Sequence, residues 1–363
     1  MQKILIIGAG LFGSVIASKL ATNKHFKIDL VEKNNGVMQL ASLNNHNRMH
    51  LGYHYLRSIK TAEQSVEGIL SFMFDYGEAV ITQFPNYYAI ANQNSKTTAK
   101  DFAEFCDRVG ISYDEAYPDR GLLNPSKIEA CFKVPEPIFD YDILKRNIEQ
   151  QLNQENITLY LNTSCNGLEH KGDRFVAKLN DDVKEYDVVV NATYAGINRI
   201  NSYLGIPLKK LLYEDVLIPY FLYPMSRTGL TVMDGEFCSV MPKGINKNEF
   251  LLYHVKHSVL NSFIGERNQC QQTTLSSDTI SNMYQKSAEF YPFLKEIKHV
   301  NYWRTIRAVY ENSDDARLSE IFTYPEVDNY YTILSGKVCT CVQVAIEIKH
   351  KIEGRKLLRR FRV

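Results

Sequence analysis

Residues 3–20 read KILIIGAGLFGSVIASKL, and the fold follows from them. Ile4 to Ile7 form a continuous apolar run, as expected of a parallel strand buried on both faces. Gly8, Gly10 and Gly13 follow in G-x-G-x-x-G spacing. The first glycine permits the tight turn, the second lets the backbone approach a pyrophosphate, and the third lets the next helix pack close to the strand. Val15, Ile16, Ala17 and Leu20 supply that helix with apolar positions, and its N-terminal amides and dipole would face phosphates. A second strand, FKIDLVEK (26–33), ends on Glu32, whose carboxylate can accept hydrogen bonds from both ribose hydroxyls of an adenosine. An acidic strand end suits an unphosphorylated ribose, so FAD or NAD fits better than NADP. Leu11 and Phe12 within the turn and Lys33 beside Glu32 are the neighbouring cofactor-binding candidates.

The rest of the composition narrows the class. A chain of 363 residues is long enough for two domains. A formal net charge of +1 makes no case for a nucleic-acid partner. No apolar run is long enough for an integral membrane segment. A glycine turn so near Met1 argues against a secretory leader. Seven scattered cysteines, whose one close pair is Cys339 and Cys341, lack zinc-site spacing. The expectation is reduced thiols in a cytoplasmic protein. The basic tail KIEGRKLLRRFRV (351–363) carries Leu357, Leu358 and Phe361. It offers peripheral contact with an anionic membrane surface or an acceptor protein, though a solvated helix end is the favoured reading.

The stretch NNHNRMHLGYHYLRS (44–58) is unusual. His46, His50 and His54 are spaced to share one face of a helix and hold a metal. The asparagines and Gly52 are poor for an uninterrupted helix, and no acidic residue lies inside the segment. A solvated polar loop and one wall of a redox site are the other readings.

An NAD-dependent dehydrogenase would continue in unbroken βαβ units, and this chain does not. A helix over 59–82, a strand at NYYAIA (86–91) and an amphipathic helix at DILKRNIEQQLNQ (142–154) are expected. ITLYLNTSCNGLEHKGDRFVAKLN (157–180) reads as two or three strands with a turn at HKGD. YDVVVNATYAGIN (186–198) is a second buried parallel strand, Val188 to Val190, with a small-residue turn after it. It would return the chain to the nucleotide sheet. Residues 205–300 alternate apolar strands with Gly and Pro turns, and Tyr213, Tyr220, Tyr253 and His254 are pocket candidates there.

The opening fingerprint, YDVVVNATYAG and the C-terminal YYTILSGKVCTCVQVAIEI (330–348) together resemble the D-amino-acid-oxidase-like family of FAD-dependent oxidoreductases. That family includes glycine and sarcosine oxidases, glycerol-3-phosphate dehydrogenase and L-2-hydroxyglutarate dehydrogenase. The resemblance implies that the segment after Glu32 passes beside the pyrophosphate and the flavin ring. Ala41 and Ser42 would then lie near the phosphates, and Asn47 and Arg48 beside the cofactor. Gly52 would let the backbone lie close to the isoalloxazine, with His50 near the ring and Tyr55 toward substrate. Arg48 departs from the relatives' pattern, which has a small or polar residue there. Ala192 and Thr193 would line the cofactor from the second strand's turn. Gly336, Lys337 and Val338, at a helix expected to start near Val338, would stabilise charge at flavin N1–C2=O. In YWRTIRAVY (302–310), Trp303 and Arg307 match a segment whose arginine contacts a substrate carboxylate, although Thr305 and Ala308 replace its glycine and proline. An arginine fork suits a carboxylate, while pairing with Glu311, Asp314 or Asp315 is the plain alternative.

The fold expected is α/β. A discontinuous Rossmann-like FAD-binding domain (1–80, 140–204 and 305–363) joins an α+β substrate domain (81–139 and 205–304) with a mostly antiparallel sheet. The activity expected is hydride transfer from a CH–OH or CH–NH group of a small, polar, anionic substrate to flavin N5. FAD would be held non-covalently and no metal is expected. His50, His54 and Arg307 are the catalytic candidates, with Tyr55, Tyr253 and Arg307 contacting substrate. The electron acceptor is left open among oxygen, a quinone and a protein. An NAD-dependent dehydrogenase and a nucleotide-sugar-modifying flavoenzyme are the alternatives.

Overall fold

The computed structural model describes residues 1–246, 248–298, 300–311 and 317–354. Gln2–Ile7 is the centre of a six-stranded sheet. Its spatial order is Glu320–Tyr324, Val327–Leu334, Val188–Asn191, Gln2–Ile7, Phe26–Val31 and Ile157–Tyr160. All neighbours run parallel except the antiparallel edge strand Glu320–Tyr324. Both faces of this sheet are covered, which explains the unbroken apolar run. Ile4 and Ile6 pack among the helices Leu11–Ala21, Tyr141–Leu152 and Cys341–Ile352. Leu5 and Ile7 pack on the other side against Leu168, Phe175 and Ala177 of a three-stranded antiparallel meander, Cys165 to Tyr186.

The second sheet has nine strands and is antiparallel apart from one parallel pairing, Gly229–Met233 beside Asn86–Ala91. Its core, with Phe221, Phe250 and Leu252, is closed by Met283 and Tyr284 of the helix Ser277–Ser287 and by Tyr291 and Phe293 beyond it. The chain crosses between the sheets several times. Val300–Val309 pairs along its whole length with Leu211–Leu222, so the return to the nucleotide sheet falls between Val309 and Glu320.

Local boundaries differ in three places, one being the helix expected over 142–154, which spans Tyr141–Leu152. The helix Ile59–Tyr76 gives way to a 3-10 turn at Gly77–Ala79 and the short strand Val80–Ile81. The terminal α-helix begins at Cys341, after a 3-10 turn over Val338–Thr340. Among the described residues no helix is long and apolar enough to cross a membrane. The tail from residue 355, with Leu357, Leu358 and Phe361, lies outside the described residues, as do Asp314 and Asp315.

Candidate active site

The fingerprint turn forms as its spacing requires. Gly8 has φ +99°, and a Cβ on it would stand 2.9 Å from the Ala192 carbonyl oxygen. A Cβ on Gly13 would stand 1.9 Å from the Gly8 oxygen, so helix and turn are in backbone contact. A Cβ on Gly10 would meet Ser42 Oγ at 3.4 Å and, among the described residues beyond its chain neighbours and its own helix, nothing else within 4 Å, which leaves that backbone open to a ligand. Leu11 donates its amide to Ser42 Oγ at 3.0 Å, so Ser42 and neighbouring Ala41 close over the helix N-terminus. Glu32 is buried at the strand end and accepts from the Ala9 and Asn34 amides at 3.0 and 2.9 Å. Phe12 is buried in the core and Lys33 is exposed. Ala192 packs on this turn, and Thr193 spends its hydroxyl on Asn191 Oδ1 at 2.7 Å.

The histidine-rich segment is not helical, so its three rings do not share a face. It runs beside residues 136–139: Phe139 N bonds Asn47 O at 2.9 Å and Met49 N bonds Pro137 O at 3.0 Å. Arg48 is buried and turns into the antiparallel sheet, donating to Tyr88 Oη at 2.8 Å and Thr231 Oγ1 at 2.7 Å. Its guanidinium is thus bonded to two strands of the sheet. Gly52 has φ +109°, and a Cβ on it would meet that of Ala62, 3.0 Å away on the helix Ile59–Tyr76. Backbone conformation and helix packing both select glycine there.

His50 and His54 lie with ring centroids 6.0 Å apart, and the Tyr55 ring packs edge-on to both. His50 sits deep in the protein, yet its side chain keeps 20 % of its accessible surface, as it would facing an internal cleft. Burial, then Lys337 and Arg48, push its pKa well below the usual imidazole value. His46 is drawn down to about 3, first by burial and then by Arg48, and its Nε2 meets the Leu251 carbonyl at 3.1 Å. Among the described residues no cluster of His, Cys, Asp or Glu has the arrangement of a metal site.

Lys337 lies beside the same rings. Its Nζ lies 3.8 Å from the Tyr55 ring centroid, and burial lowers its pKa to about 7 against a smaller upward pull from Cys339. The Gly336 and Lys337 amides are occupied by Ser319 Oγ, at 2.8 and 3.3 Å. Gly336 is required because a Cβ would fall 1.9 Å from the Arg317 carbonyl oxygen. Those two amides therefore brace the turn, and Lys337's ammonium is the charge left at this end, next to Val338.

Arg307 projects from Val300–Val309 with 27 % of its side-chain surface accessible. Its Nε donates to Glu214 Oε2 at 2.7 Å, not to Glu311, and its guanidinium lies 5.9 Å from the Tyr253 ring centroid. Burial works against its charge, but Tyr253 and Glu214 more than offset it. Tyr253 also faces His46, at 6.1 Å between ring centroids. Tyr194, held at φ +54°, a conformation costly for a bulky residue, is influenced by Arg307 and reaches the Ala308 backbone. The other pocket candidates turn away. Tyr213 is core, Tyr220 packs on Trp303, and His254 accepts backbone amides from Lys256 and His257.

One residue escaped the sequence reading. Glu136 is 1 % exposed and accepts from Tyr88 Oη at 2.6 Å and from the Leu51 amide at 3.0 Å. Its context, Val-Pro-Glu-Pro-Ile, looks like a surface turn; two prolines flanking a lone acid were the available signal.

These residues fit FAD. The open Gly10 backbone and Glu32 suit the nucleotide end. At the other end, Asn47 Oδ1 is buried without a hydrogen-bond partner, and the Lys337 ammonium lies near the His50 ring. Buried polar atoms are rarely left so unless a ligand or water completes them.

Residues 3–335 match the family model described as FAD dependent oxidoreductase (DAO). The chain is 28% identical to the FAD-dependent monooxygenase FPY4 of Fusarium mangiferae over 71% of its own length, spanning 65% of that protein, just under two thirds. It is 26% identical to the FAD-dependent monooxygenase kojA of Aspergillus flavus, covering 95% of this chain and 84% of that one. Its fold is similar to glycine oxidase from Geobacillus kaustophilus, with TM-score 0.80 at 14% identity over 99% and 96% of the two chains. It is also similar to an FAD-bound L-alpha-glycerophosphate oxidase from Mycoplasma pneumoniae, with TM-score 0.77 at 13% identity over 97% and 95%.

Proposed function

This chain belongs to the DAO family of FAD dependent oxidoreductases, and we propose that it oxidises the CH–OH group of a small, polar, anionic molecule by hydride transfer to flavin N5. Family membership sets the NAD-dependent alternative aside. Bound FAD supplies the two-electron acceptance; the protein supplies binding, orientation and proton handling. Gly8, Gly10 and Gly13 with Glu32 would hold the nucleotide, and Asn47 and Lys337 would stand at the ring. Arg307 binds a substrate carboxylate or phosphate through its terminal nitrogens, since Glu214 occupies only Nε. Tyr253, Tyr55 and His54 would shape the space between Arg307 and Lys337.

The observation that carries the CH–OH assignment is the buried His50 imidazole, kept neutral by burial and by its cationic neighbours. An alcohol must lose its O–H proton as its C–H hydride leaves, and a neutral imidazole can take that proton. A neutral amine needs no such base. The relatives named as monooxygenases favour a second reading, insertion of oxygen into the substrate. A panel of hydroxy acids, amino acids and sugar derivatives, added to the holoenzyme without oxygen, separates these. CH–OH oxidation bleaches the flavin with a hydroxy compound and yields the carbonyl product. Bleaching by amines alone overturns it, as does an oxygenated product formed only in air.

A further inference from the structure

The buried Glu136 sits behind His50, and nothing in the hydride-transfer reading uses it. Its Oε1 lies 3.7 Å from His50 Nδ1, a ring nitrogen that is buried and makes no hydrogen bond. Its Oε2 accepts a hydrogen bond from the Tyr88 hydroxyl at 2.6 Å and lies 3.6 Å from Arg48 Nε. The Leu51 amide, one residue beyond His50, fixes Oε1 at 3.0 Å. A fully buried carboxylate is costly unless it is paired and hydrogen-bonded. This one is held by a buried arginine, a tyrosine and a backbone amide, all of which fix its direction. The bonds that Arg48 donates to Tyr88 and Thr231 tie the group to two strands of the second sheet.

We propose that Glu136 is a positioning residue for His50: it holds the imidazole with its proton on Nδ1, leaving Nε2 free to take the substrate's hydroxyl proton. This rests on the reading of His50 as the proton acceptor. With an alcohol substrate, bound FAD would supply the acceptor for the C–H hydride and its two electrons, and His50 Nε2 would take the O–H proton, which would leave the substrate as a carbonyl. The imidazole then carries protons on both nitrogens, and the Nδ1 proton faces Glu136. The ring orientation of a catalytic histidine is set by what its other nitrogen faces. Burial and the other groups around His50, namely Lys337, Arg48, His54 and His46, disfavour a positive ring, and Glu136, whose own pKa burial raises, contributes through its position 3.7 Å from Nδ1.

The test is nitrogen NMR of the FAD-loaded protein with ring-labelled histidine, identifying the His50 signal by its loss in His50→Gln. Wild type is expected to show His50 as a single tautomer protonated at Nδ1. In Glu136→Gln that preference should be lost, with both tautomers populated, and Tyr88→Phe should shift it part of the way. A wild-type ring protonated at Nε2, or a His50 signal unchanged in Glu136→Gln, overturns the proposal. If Glu136→Gln does not fold, Glu136→Asp and the wild-type tautomer decide it by the same criteria. A merely structural carboxylate would not set the tautomer of a ring nitrogen. His50→Gln turnover is measured separately. A variant at full rate with the tautomer result intact would remove the proton-acceptor reading and leave the positional one.

Discussion

Lys337 holds its ammonium 3.8 Å from the Tyr55 ring centroid, and its pKa is drawn from 10.5 to about 7. Burial is the cause, only partly opposed by Cys339, and Arg48 adds to it. The charged form is present below pH 7 and lost above it. His46, near 3, and His50, well below 6.5, stay neutral over the same range. Binding of acetate as a probe anion, read from perturbation of the flavin spectrum, should therefore be tightest below pH 7. It should weaken by up to about tenfold per pH unit above that. Lys337→Met should bind weakly at every pH, and Lys337→Arg should lose the pH dependence.

Gly13→Ala places a methyl group 1.9 Å from the Gly8 carbonyl, which backbone atoms cannot yield without moving the turn. The expected loss is on the order of 3 kcal/mol of stability, with FAD lost from the purified protein. Gly77 meets nothing within 4 Å and has an ordinary φ of −56°. Gly77→Ala should stay within about 0.5 kcal/mol of wild type and keep its flavin. Urea unfolding and flavin content measure both.

Arg307→Ala removes the fork that faces the cleft and leaves Glu214 without its partner. A charge-assisted hydrogen bond contributes about 1.5–3 kcal/mol, so KM for the reducing substrate should rise roughly 10- to 150-fold. Lysine should not rescue it, because an ammonium cannot reproduce the planar fork. Steady-state kinetics with the substrate that bleaches the flavin provides the check.

FAD should be released by acid. Cys339 Sγ points to the His50 carbonyl at 3.8 Å, and all seven cysteines are buried free thiols. Burial raises the Cys339 and Cys341 thiols, and Cys339's reaches about 12, so no reactive thiolate is offered for a covalent link. After acid precipitation the yellow colour should be in the supernatant. Colour in the pellet would contradict this.

The nucleotide half was legible because its signals are local. Ile4 to Ile7, the three glycines and Glu32 each act on neighbours within one βαβ unit, and Val188 to Val190 repeat the apolar run. The sheet to which Val300–Val309 belongs was not legible, since that depends on pairing with Leu211–Leu222, some ninety residues away. The contacts that crowd Gly52 and Gly336, with Ala62 and with Arg317, were not legible, because they arise only in the packed fold. Arg48 was read beside the cofactor because its chain neighbours point there, and its bonds to Tyr88 and Thr231 arise only in the packed fold. Glu136 was passed over because burial of a carboxylate between two prolines is a property of the packed fold. Arg307's partner lay across the strand pair at Glu214, not along the chain.

The most direct measurement is anaerobic stopped-flow reduction of wild type and His50→Gln by a hydroxy acid, followed at the flavin's visible band. Wild type should bleach. His50→Gln should keep its flavin but bleach about 10²–10⁴-fold more slowly, the usual span for loss of a positioned base. Equal rates in the two proteins, or bleaching by amines alone, would contradict CH–OH oxidation with His50 as the proton acceptor.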